Sequence, residues 1–396
     1  MPAKPTVAVV YHFFPHYRAG VNRELMRSSK YQFLFVGAAA DPTGSGIETW
    51  KAPVEVDFVA TRNSHPIGRL LFQSSVISLA LRRDIKFIIF LGCAEFASTW
   101  LAAAVARLTG KRVLFWSHGW IERDHGIKRI IRKIFYHLSH AILLYGHHAK
   151  RIGIQEGFQA GNLHVIYNSL DYPAQVAARE SVTEADLTKT RAALFAQPEL
   201  PLLICTGRLV SYRRLHVLLE TMQRLQNVGV PVNLLLVGDG PERGALEVQA
   251  KRDGLNLKIY GTCYDESVLA RLLMAADLTV VPGRVGLTAT HSLAYGTPVL
   301  VHDNPYDQGP EWESVIPGFN GAHYSHRDEA DLARAVREWF HNAPPRPQLR
   351  QQCHAVVEQF YNPVSQVRRI ERALDGLSAD DSDWQAFCHE RAKSKP

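Results

Sequence analysis

Residues 201–240, PLLICTGRLVSYRRLHVLLETMQRLQNVGVPVNLLLVGDG, decide the fold class. Two short apolar runs, Leu202–Cys205 and Val232–Val237, flank a stretch with helical spacing, Leu215–Gln226. The runs are continuous rather than alternating, which is typical of parallel strands that are covered on both faces. A strand, a helix and a second strand in this order predict a βαβ unit, and hence an α/β domain with a parallel sheet.

The same alternation of strand and helix extends over most of the chain. In the first half, strands are predicted at Val7–Val10, Phe33–Val36, Val54–Val59, Phe87–Leu91, Val113–Trp116, Ile142–Tyr145 and Val165–Ile166, and helices at Ala97–Leu108 and Ile127–Leu138. In the second half, further strands are predicted at Leu257–Tyr260, Leu278–Val281 and Val299–Val301, and further helices at Glu184–Phe195, Pro241–Arg252, Asp265–Met274 and Thr288–Tyr295. The pattern predicts two Rossmann-like, doubly wound domains in tandem.

The boundary between the two domains is predicted near residue 170. From Tyr167 to about Glu180 the apolar periodicity is lost, which indicates a hinge. We therefore expect an N-terminal domain over residues 1–170 and a C-terminal domain over residues 171–362, each large enough to bury its own core. A last helix, Pro363–Leu374, precedes residues 376–396, which we expect to form a polar tail.

The composition of the 396 residues excludes several classes of protein. Apolar residues make up 46% and charged residues 21%, as in an ordinary soluble globular protein. Charged residues interrupt the longest apolar stretch, Ile85–Leu108, and Thr6–Val10 is too short for the apolar part of a signal peptide. The five cysteines are scattered without a CxxC pair, which indicates reduced thiols and no zinc knuckle. We expect a cytoplasmic protein.

Positive charge is concentrated in the first half of the chain. Residues 1–175 contain 21 Lys and Arg against 11 Asp and Glu, whereas residues 176–396 contain 24 against 27. On Ile127–Leu138, basic residues combine with isoleucines in an amphipathic pattern that suits an anionic membrane leaflet. A helix packed on the core with a solvated basic face explains the same pattern. A nucleic-acid partner is disfavoured, because no recognisable module and no interleaved stacking aromatics are present.

Two loops of the second half follow predicted strands, where open α/β sheets bind their ligands. In the first, Gly207 frees the backbone turn, and Arg208 and Arg213 can hold a phosphate from two sides. Arginine suits this task because its planar guanidinium binds two phosphate oxygens at once. In the second, Val237–Glu242, a tight turn leads into a helix with proline at its first position. Both loops are typical of nucleotide-binding sites, although an unliganded arginine cluster is an alternative for the first.

The stretch Val281–Val299 gives the strongest local signal for a bound diphosphate. Gly286 precedes a predicted helix, so the backbone amides of Leu287 and Thr288 are free to bind an anion. The helix dipole favours negative charge at the same place. His291 lies one turn further along, where we expect it to reach a ribose.

Two loops of the first half carry weaker signals. The loop Tyr11–Asn22 lacks the GxGxxG pattern, which excludes the dinucleotide fingerprint here. Gly20 can let the backbone approach an anion, or it belongs to an ordinary turn. His118, between Ser117 and Gly119 at a strand end, is well placed to touch a substrate, although a satisfied structural histidine is the alternative.

Five motifs follow one another along the second half: GRL, LLVGDGP, a YG before an acidic helix, AADL-x-VVP and GL…LAYGTPV. In this order they resemble the family-four retaining glycosyltransferases of the GT-B fold. The resemblance covers nearly the whole chain and is most specific from Gly207 to Val301. It implies two Rossmann-like domains that face a central cleft, with the helix Pro363–Leu374 crossing back to the N-terminal domain. Further segments similar to family motifs are Pro15–Gly20 (the acceptor loop), Ser117–Gly119 (the catalytic histidine) and Asn168–Asp171 (the hinge).

The resemblance implies roles for individual residues. Arg208 and Arg213 would neutralise the donor diphosphate, and His118 would contact the donor sugar near the reacting carbon. The implied donor-binding residues are Gly207, Gly238, Asp239, Gly261, Thr262, Gly286, Leu287, Thr288 and His291, with Gly261 and Thr262 bordering the nucleobase. The implied acceptor-loop residues are His16, Arg18 and Gly20.

One motif of the family is missing. Its two glutamates, eight positions apart, would stand at Gly283 and His291. A histidine can bind ribose hydroxyls in place of the second carboxylate, but glycine cannot hold the transferred sugar as the first one does. The sequence therefore predicts no particular sugar. Glu311 follows in a nearby loop, without a sequence argument for a role.

The function implied by the resemblance is that of a retaining hexosyltransferase. Preorganised cations and helix amides stabilise the charge on the departing diphosphate, which is usually the largest catalytic effect. Front-face attack requires no side-chain nucleophile, and the arginines take the place of a metal, so we expect no metal site and no resident cofactor. The donor would be a UDP- or GDP-sugar. The acceptor would be a lipid-linked or nascent glycan at the inner face of the plasma membrane, in polysaccharide or lipopolysaccharide biosynthesis.

Two other functions fit the same fold. A catalytically impaired nucleotide-binding protein would explain the missing carboxylates. A sugar-nucleotide epimerase is disfavoured, because no carboxylates are available for its acid and base steps. Hydrolysis of a sugar nucleotide distinguishes an active transferase from the impaired protein.

Overall fold

The computed structural model describes residues 4–41, 47–64 and 70–393. The chain divides into two compact units. Unit 1 comprises Met1–Asp171 and Asn362–Asp383, and unit 2 comprises Tyr172–Tyr361 and Trp384–Pro396. Across the described ranges, we find no helix with both the length and the apolar character needed to cross a membrane.

Unit 1 is built on a parallel sheet. The strands are β1 (Thr6–Phe13), β2 (Gln32–Ala38), β3 (Phe58–Ala60), β4 (Asn63–Ser64), β5 (Phe72–Gln73), β6 (Ile85–Leu91), β7 (Arg112–Ser117), β8 (Ala141–Leu144) and β9 (Leu163–Val165). Strands β4 and β5 form a separate antiparallel pair, and the other seven form one parallel sheet in the order β3-β2-β1-β6-β7-β8-β9. The strand order reverses between β1 and β6, which is where ligands bind in open α/β sheets.

Helices cover both faces of this sheet. They include α1 (Ala19–Met26), α2 (Val76–Leu81), α3 (Ala97–Leu108), α4 (Gly126–His137) and α5 (His147–Gln155). Ala8 and Val10 pack towards α2, α3, α4 and α5, whereas Val7 and Val9 pack towards α1 on the other face. Because successive residues of a strand point to opposite faces, a run that is apolar throughout is buried on both sides.

Unit 2 repeats the same architecture. Its strands are β10 (Leu202–Thr206), β11 (Asn233–Val237), β12 (Leu257–Ile259), β13 (Leu278–Val281), β14 (Val299–His302) and β15 (Gly321–Tyr324). They form a parallel sheet in the order β12-β11-β10-β13-β14-β15. Its helices are α6 (Tyr172–Glu180), α7 (Glu184–Leu194), α8 (His216–Asn227), α9 (Arg243–Arg252), α10 (Glu266–Ala275), α11 (Thr288–Ala294), α12 (Glu329–Asn342) and α13 (Arg346–Gln359). The order reverses between β10 and β13, so the loops after these two strands adjoin.

The chain returns to unit 1 in α14 (Pro363–Leu374), which begins with a hydrogen bond from the Ser365 backbone amide to the Asn362 side chain. A further helix, α15 (Ser382–Lys393), follows. The expectation of a polar tail over residues 376–396 is therefore wrong. Trp384 and Phe387 are buried and pack against Phe360, since aromatic residues three positions apart share one face of a helix.

Three local expectations also differ from the structure. The predicted strand Val54–Val59 begins only at Phe58, because Val54 is fully exposed in a turn. Part of the segment without periodicity, Tyr167 to Glu180, forms α6. Strand β15 was not predicted, since its sequence, GAHY, is too short and too polar to form an apolar run. The parallel α/β fold of two Rossmann-like units is confirmed.

Candidate active site

In unit 2, the loop after β10 encloses a buried arginine. Gly207 adopts a φ of +114°, and a Cβ at this position would lie 2.2 Å from Nη1 of Arg213. Arg213 is buried, and its Nη2 donates to Oγ1 of Thr288 at 3.2 Å, while its Nε has no partner. Thr288 begins α11, so Arg213 is fixed below the helix start at which a diphosphate is expected. Glycine at 207 is required because any side chain would displace the guanidinium.

Arg208 and Arg213 lie in the same loop but differ in solvent exposure and in their contacts with the protein. Arg208 is exposed, and among the described residues no carboxylate forms an ion pair with it. Arg213 is already held by protein contacts. The structure therefore brings both predicted cations to one loop, one fixed and one free to move towards a ligand.

A close backbone contact leaves no room for a side chain at Gly283, where the resemblance would place a glutamate. Its amide donates to the carbonyl of Arg213 at 3.1 Å, and a Cβ at Gly283 would lie 2.2 Å from the carbonyl oxygen of Tyr212. A glutamate at this position would displace the turn that carries Arg213. The sequence difference is thus part of the same packing that buries this arginine.

A carboxylate nevertheless stands beside His291. Nε2 of His291 lies 2.9 Å from Oε1 of Glu266, and the hydroxyl of Tyr295 donates to the same oxygen at 2.5 Å. Burial tends to raise the pKa of Glu266, but the hydrogen bonds from His291 and Tyr295 outweigh it and lower this pKa below its usual value. The sequence predicted the helix that contains Glu266, but no spacing connects this residue with position 291. Glu266 is a candidate that sequence reasoning missed.

A second carboxylate adjoins the loop at Gly286. Glu311 lies in the 3-10 turn Pro310–Ser314 and is buried. A Cβ built on Gly309 would lie 3.0 Å from Oε2 of Glu311 and 3.4 Å from Cα of Gly286. Gly286 itself has a φ of +53° and open space around it. The carboxylate is thus close to the segment that was expected to bind the donor.

The remaining predicted donor residues divide into buried and exposed positions. Gly238 packs against Gly207, because a Cβ there would lie 2.0 Å from the carbonyl oxygen of Gly207. Asp239 forms an ion pair with Arg243 at 3.3 Å, so its carboxylate already has a partner. Gly261 and Thr262 follow β12 at the surface. Leu287 lies between Gly286 and Thr288, directly before α11.

In unit 1, a cavity of about 830 Å³ opens at the carboxyl ends of β1, β6 and β7. Most of its lining is aromatic or aliphatic, and His118 and Arg18 contribute polar groups. Ile127 and Ile131 of α4 form part of the same wall. Two of the residues predicted to bind substrate in this half therefore meet in one cavity.

His118 faces this cavity without a protein hydrogen bond. Its ring packs edge-on against Tyr145, with 4.8 Å between centroids, and no described residue hydrogen-bonds to it. The walls of the cavity separate the ring of His118 from bulk water, and this desolvation, with the positive charge of Arg18, lowers its pKa to about 4. Part of the residue remains accessible to solvent inside the cavity. The ring is neutral near pH 7. These properties do not fit the alternative of a satisfied structural histidine.

The predicted acceptor loop is tightly packed. Arg18 ends the 3-10 turn His16–Arg18 and is buried. A Cβ at Gly20 would lie 2.9 Å from Cα of Asp171, so this glycine permits close packing within unit 1. Residues 170 and 171 occupy the space beside the Cα of Gly20, and the expectation that its backbone approaches an anion stays a prediction. His16 lies at the edge of the loop, with Nδ1 3.2 Å from the carbonyl oxygen of Glu48.

Polar clusters outside these sites have protein partners. At the start of α15, Asp381 forms an ion pair with Lys150, and Asp383 forms one with Arg369. In the described part of the chain, one cluster of side chains could hold a metal ion: His302, Asp307 and His326, whose ligand atoms lie within 4.8 Å of one another. Arg284 forms an ion pair with Asp307 at 3.2 Å, and this positive charge disfavours a cation there.

Comparisons of the sequence identify related proteins for part of the chain. Residues 186–356 match the family model described as Glycosyl transferases group 1. The chain is 34% identical over 146 residues to a GDP-mannose-dependent alpha-(1-6)-phosphatidylinositol dimannoside mannosyltransferase of Mycobacterium tuberculosis, which covers 36% of each protein. It is 29% identical over 174 residues to the lipopolysaccharide core biosynthesis glycosyltransferase LpsE of Rhizobium meliloti, which covers 43% of this chain and 48% of LpsE. The chain thus spans between a third and a half of the length of these relatives.

Solved structures resemble the chain over nearly its whole length. Anabaena HepE, crystallised with UDP, has a TM-score of 0.70 at 18% identity, which covers 95% of this chain and 100% of HepE. The lipopolysaccharide outer core galactosyltransferase WaaB has a TM-score of 0.68 at 13% identity, which covers 94% of this chain and 99% of WaaB. At these identities the likeness concerns the fold. It confirms the predicted fold class, two Rossmann-like α/β domains of the GT-B type.

Proposed function

We propose that this protein is a retaining, metal-independent glycosyltransferase. It moves a hexose from a UDP- or GDP-sugar to a lipid-linked or nascent glycan in cell-surface polysaccharide or lipopolysaccharide biosynthesis. The observation that carries the proposal is the loop of unit 2 in which Arg213 is fixed beside Thr288 and Arg208 is free. The match of residues 186–356 to glycosyltransferases, and the UDP in the HepE crystal, support it.

The two arginines supply the electrostatic part of the reaction. When the sugar leaves, negative charge develops on the diphosphate. Arg213 is in place before the donor arrives, so it stabilises this charge with little reorganisation. Among the described residues no carboxylate pairs with Arg208, so it can close onto the second phosphate. The leaving phosphate accepts the proton of the acceptor hydroxyl, so no side-chain nucleophile and no resident cofactor are needed.

Other carboxylates take over the work of the two missing glutamates. Glu266 is an anion hydrogen-bonded to His291, and together they bind the ribose hydroxyls of the donor. Glu311 adjoins Gly286 and holds a hydroxyl of the transferred sugar. These positions weaken the alternative of a catalytically impaired protein, which rested on the missing carboxylates.

The cavity of unit 1 receives the acceptor. Its aromatic and aliphatic lining suits the apolar part of a lipid-linked glycan. His118 is neutral and accepts or donates no hydrogen bond within the described part of the chain, so it is free to bind a sugar hydroxyl near the reacting centre. The acceptor-loop residue Arg18 lines the same cavity.

Helix α4 supports a position at an anionic membrane surface. Its four isoleucines follow the spacing of one helix face and are 43–75% exposed: Ile127, Ile130, Ile131 and Ile134. Such a stripe is larger than the scattered apolar residues of an ordinary surface. The adjacent charge is partly neutralised, since Lys128 and Arg132 pair with Asp124, and Arg129 pairs with Glu156. Apolar insertion therefore contributes more than charge, and the basic residues orient the helix towards the anionic leaflet.

A donor panel tests the proposed reaction. Purified protein is incubated with UDP-glucose, UDP-galactose, UDP-N-acetylglucosamine and GDP-mannose, and release of the nucleoside diphosphate is measured with and without bacterial membrane lipids. We expect one donor to be consumed, faster with lipids, and equally well in EDTA. Binding of a donor without turnover would support the impaired protein, and activity that EDTA removes and Mg²⁺ or Mn²⁺ restores would contradict the arginine mechanism.

Vesicle flotation tests the membrane contact. We expect the protein to float with phosphatidylglycerol vesicles and much less with phosphatidylcholine vesicles. The double variant Ile130→Ser/Ile134→Ser should lose this binding, because these two side chains are exposed on α4 and do not line the cavity. The matched control is Leu101→Ser/Leu108→Ser on α3, which removes two exposed aliphatic side chains of the same unit, 54% and 87% exposed. Equal loss in both double variants contradicts a specific role for α4.

A further inference from the structure

Arg18 is a buried cation without an anionic partner in the described structure. It is 7% exposed and lies over three aromatic rings, 5.0 Å from Tyr11, 4.9 Å from Trp116 and 5.6 Å from Tyr145. Burial raises the pKa of Tyr11 well above its usual value, so this hydroxyl remains neutral. Aromatic faces attract a guanidinium but do not neutralise it. A buried charge with no counter-ion is costly in the folded protein.

The wall of the cavity also contains several unpartnered hydrogen-bonding groups. Nη1 of Arg18, Nε1 of Trp116 and Nδ1 of His12 are all buried without a partner, and all three residues line the cavity. The arginine and tryptophan groups can only donate. More than nine-tenths of buried polar groups in folded proteins are satisfied, so a concentration of unsatisfied donors around one cavity is unusual. Because these atoms have almost no exposed surface, an acceptor atom satisfies them only when the neighbouring side chains shift to admit it.

Other charged residues of the lining do not replace such a ligand. Lys128 and Arg132 already pair with Asp124. Glu95 is the one carboxylate among the described lining residues, and it forms no ion pair with Arg18. Of the arginines and lysines that line the cavity, Arg18 is therefore the one that forms no ion pair in the described structure. It lies among aromatic side chains, while Ile127 and Ile131 extend the apolar wall to α4.

We propose that this cavity binds an oxyanion, a phosphate or a carboxylate, which Arg18 holds as part of an amphiphilic acceptor. The oxyanion accepts hydrogen bonds from the free Nη1 of Arg18 and from Nε1 of Trp116, and the apolar part of the ligand lies along the isoleucines of α4. That the ligand is the acceptor rests on the proposed function. The oxyanion site itself rests on the buried guanidinium of Arg18, whose Nη2 donates to the hydroxyl of Tyr145 but which forms no ion pair with a described carboxylate and whose Nη1 has no hydrogen-bond partner among the described residues.

Three amphiphiles of equal chain length test the proposal by titration calorimetry, all below micelle formation. Octyl phosphate and octanoate carry the two candidate oxyanions, and octyl glucoside is neutral. We expect the wild-type protein to bind at least one of the two anions and to bind octyl glucoside at least about tenfold more weakly, since a hydrogen bond to a charged group contributes roughly 1.5–3 kcal/mol. The anion that binds with the higher affinity identifies the headgroup of the ligand as a phosphate or a carboxylate.

The variants are Arg18→Met and Arg18→Lys, with Arg132→Gln as the matched control that removes a paired cation from the same wall. Arg18→Met should weaken anion binding about tenfold or more, Arg18→Lys should weaken it less, and Arg132→Gln should leave it nearly unchanged. If Arg18→Met does not fold, Arg18→Lys alone must still bind the anion more weakly than Arg132→Gln does. Equal affinity for octyl glucoside, or equal loss in Arg132→Gln, overturns the proposal.

Titration of UDP and GDP into the same samples separates this inference from the proposed function. Anion binding at Arg18 with no binding of either nucleotide would contradict the glycosyltransferase and leave the oxyanion site standing. Nucleotide binding with no preference for the anionic amphiphiles would overturn the oxyanion site alone.

Discussion

The two units place a buried arginine at the same point of their folds. In unit 1 the 3-10 turn His16–Arg18 follows β1, and in unit 2 the 3-10 turn Ser211–Arg213 follows β10. Each strand adjoins the point at which the strand order of its sheet reverses. Both arginines are 7% exposed. The same architecture therefore has a buried guanidinium at the corresponding position in each of the two units.

The surroundings of the two arginines differ. Arg213 donates to the hydroxyl of Thr288 and packs close to Gly207 and Gly283. Arg18 donates to the hydroxyl of Tyr145 and lies over the rings of Tyr11, Trp116 and Tyr145. Small residues leave room for a polar diphosphate against the backbone, and rings surround a ligand that also has an apolar part. The comparison teaches that the same topological position has two different surroundings, and the proposed function assigns a diphosphate to the one and an amphiphilic acceptor to the other.

The largest effect is expected in unit 2. Arg213→Ala and Arg208→Ala should each lower the transfer rate on the order of 10²-fold or more, because each removes a cation that stabilises the departing diphosphate. Steady-state kinetics with the preferred donor measure this. Arg224→Ala, an exposed arginine on α8, is the control and should retain nearly full activity. Near-wild-type turnover of either loop variant means that the diphosphate does not bind there.

A smaller and more selective effect is expected for His118 in unit 1. His118→Ala should lower the rate roughly 10- to 100-fold, because it leaves a sugar hydroxyl near the reacting centre without its hydrogen-bond partner, while the affinity for UDP or GDP stays nearly unchanged. The nucleotide loops belong to unit 2, so their affinity does not depend on this ring. A joint fall in rate, nucleotide affinity and melting temperature would instead assign His118 to the support of the fold.

The low pKa of His118 predicts how this effect depends on pH. A histidine with an ordinary pKa near 6.5 would gain a proton as the pH falls from 8 to 6. Because the pKa of His118 is about 4, its ring stays neutral over this range and becomes protonated only near pH 4. The ratio of wild-type to His118→Ala rates should therefore stay constant from pH 8 to pH 6. A ratio that falls with a midpoint near 6.5 contradicts the neutral ring.

The smallest effect is expected for Glu311. Glu311→Gln keeps the size of the side chain and removes its charge, so the protein should fold and bind UDP or GDP as before. The affinity for the intact sugar nucleotide should fall about tenfold, because one charge-assisted hydrogen bond to the sugar becomes a neutral one. Calorimetry with the nucleotide and the sugar nucleotide gives both values. Equal changes for the two ligands would place Glu311 away from the sugar.

Most of the fold was predictable because its signals are local. The continuous apolar runs at β10 and β11 define parallel strands by themselves, and Gly207 with Arg213 indicates a phosphate loop within seven residues. Helix α15 was not predicted, because Trp384 and Phe387 stand out from a polar segment only when Phe360 lies against them. The local sequence pattern was therefore sufficient to predict an element when its own residues are apolar along its whole length.

The parts of the site that could not be predicted depend on contacts between distant residues. Glu266 and His291 are 25 positions apart, and only the packing of α10 near α11 brings them to 2.9 Å. Arg18 was assigned to the acceptor loop by resemblance alone. The rings that surround it come from β1, β7 and the end of β8, and no single stretch of sequence contains them.

We propose that Arg213 binds the nucleotide and Arg18 binds the acceptor. The affinity for UDP and GDP tests these two roles most directly. Calorimetry is performed on the wild-type protein, Arg213→Met and Arg18→Met, with thermal unfolding as a check that each is folded. We predict that the wild type binds one of the two nucleotides, that Arg213→Met binds it at least about tenfold more weakly, and that Arg18→Met binds it as the wild type does. Equal loss in Arg18→Met, or undiminished affinity in Arg213→Met, would contradict the assignment of the nucleotide to unit 2 and of the acceptor to unit 1.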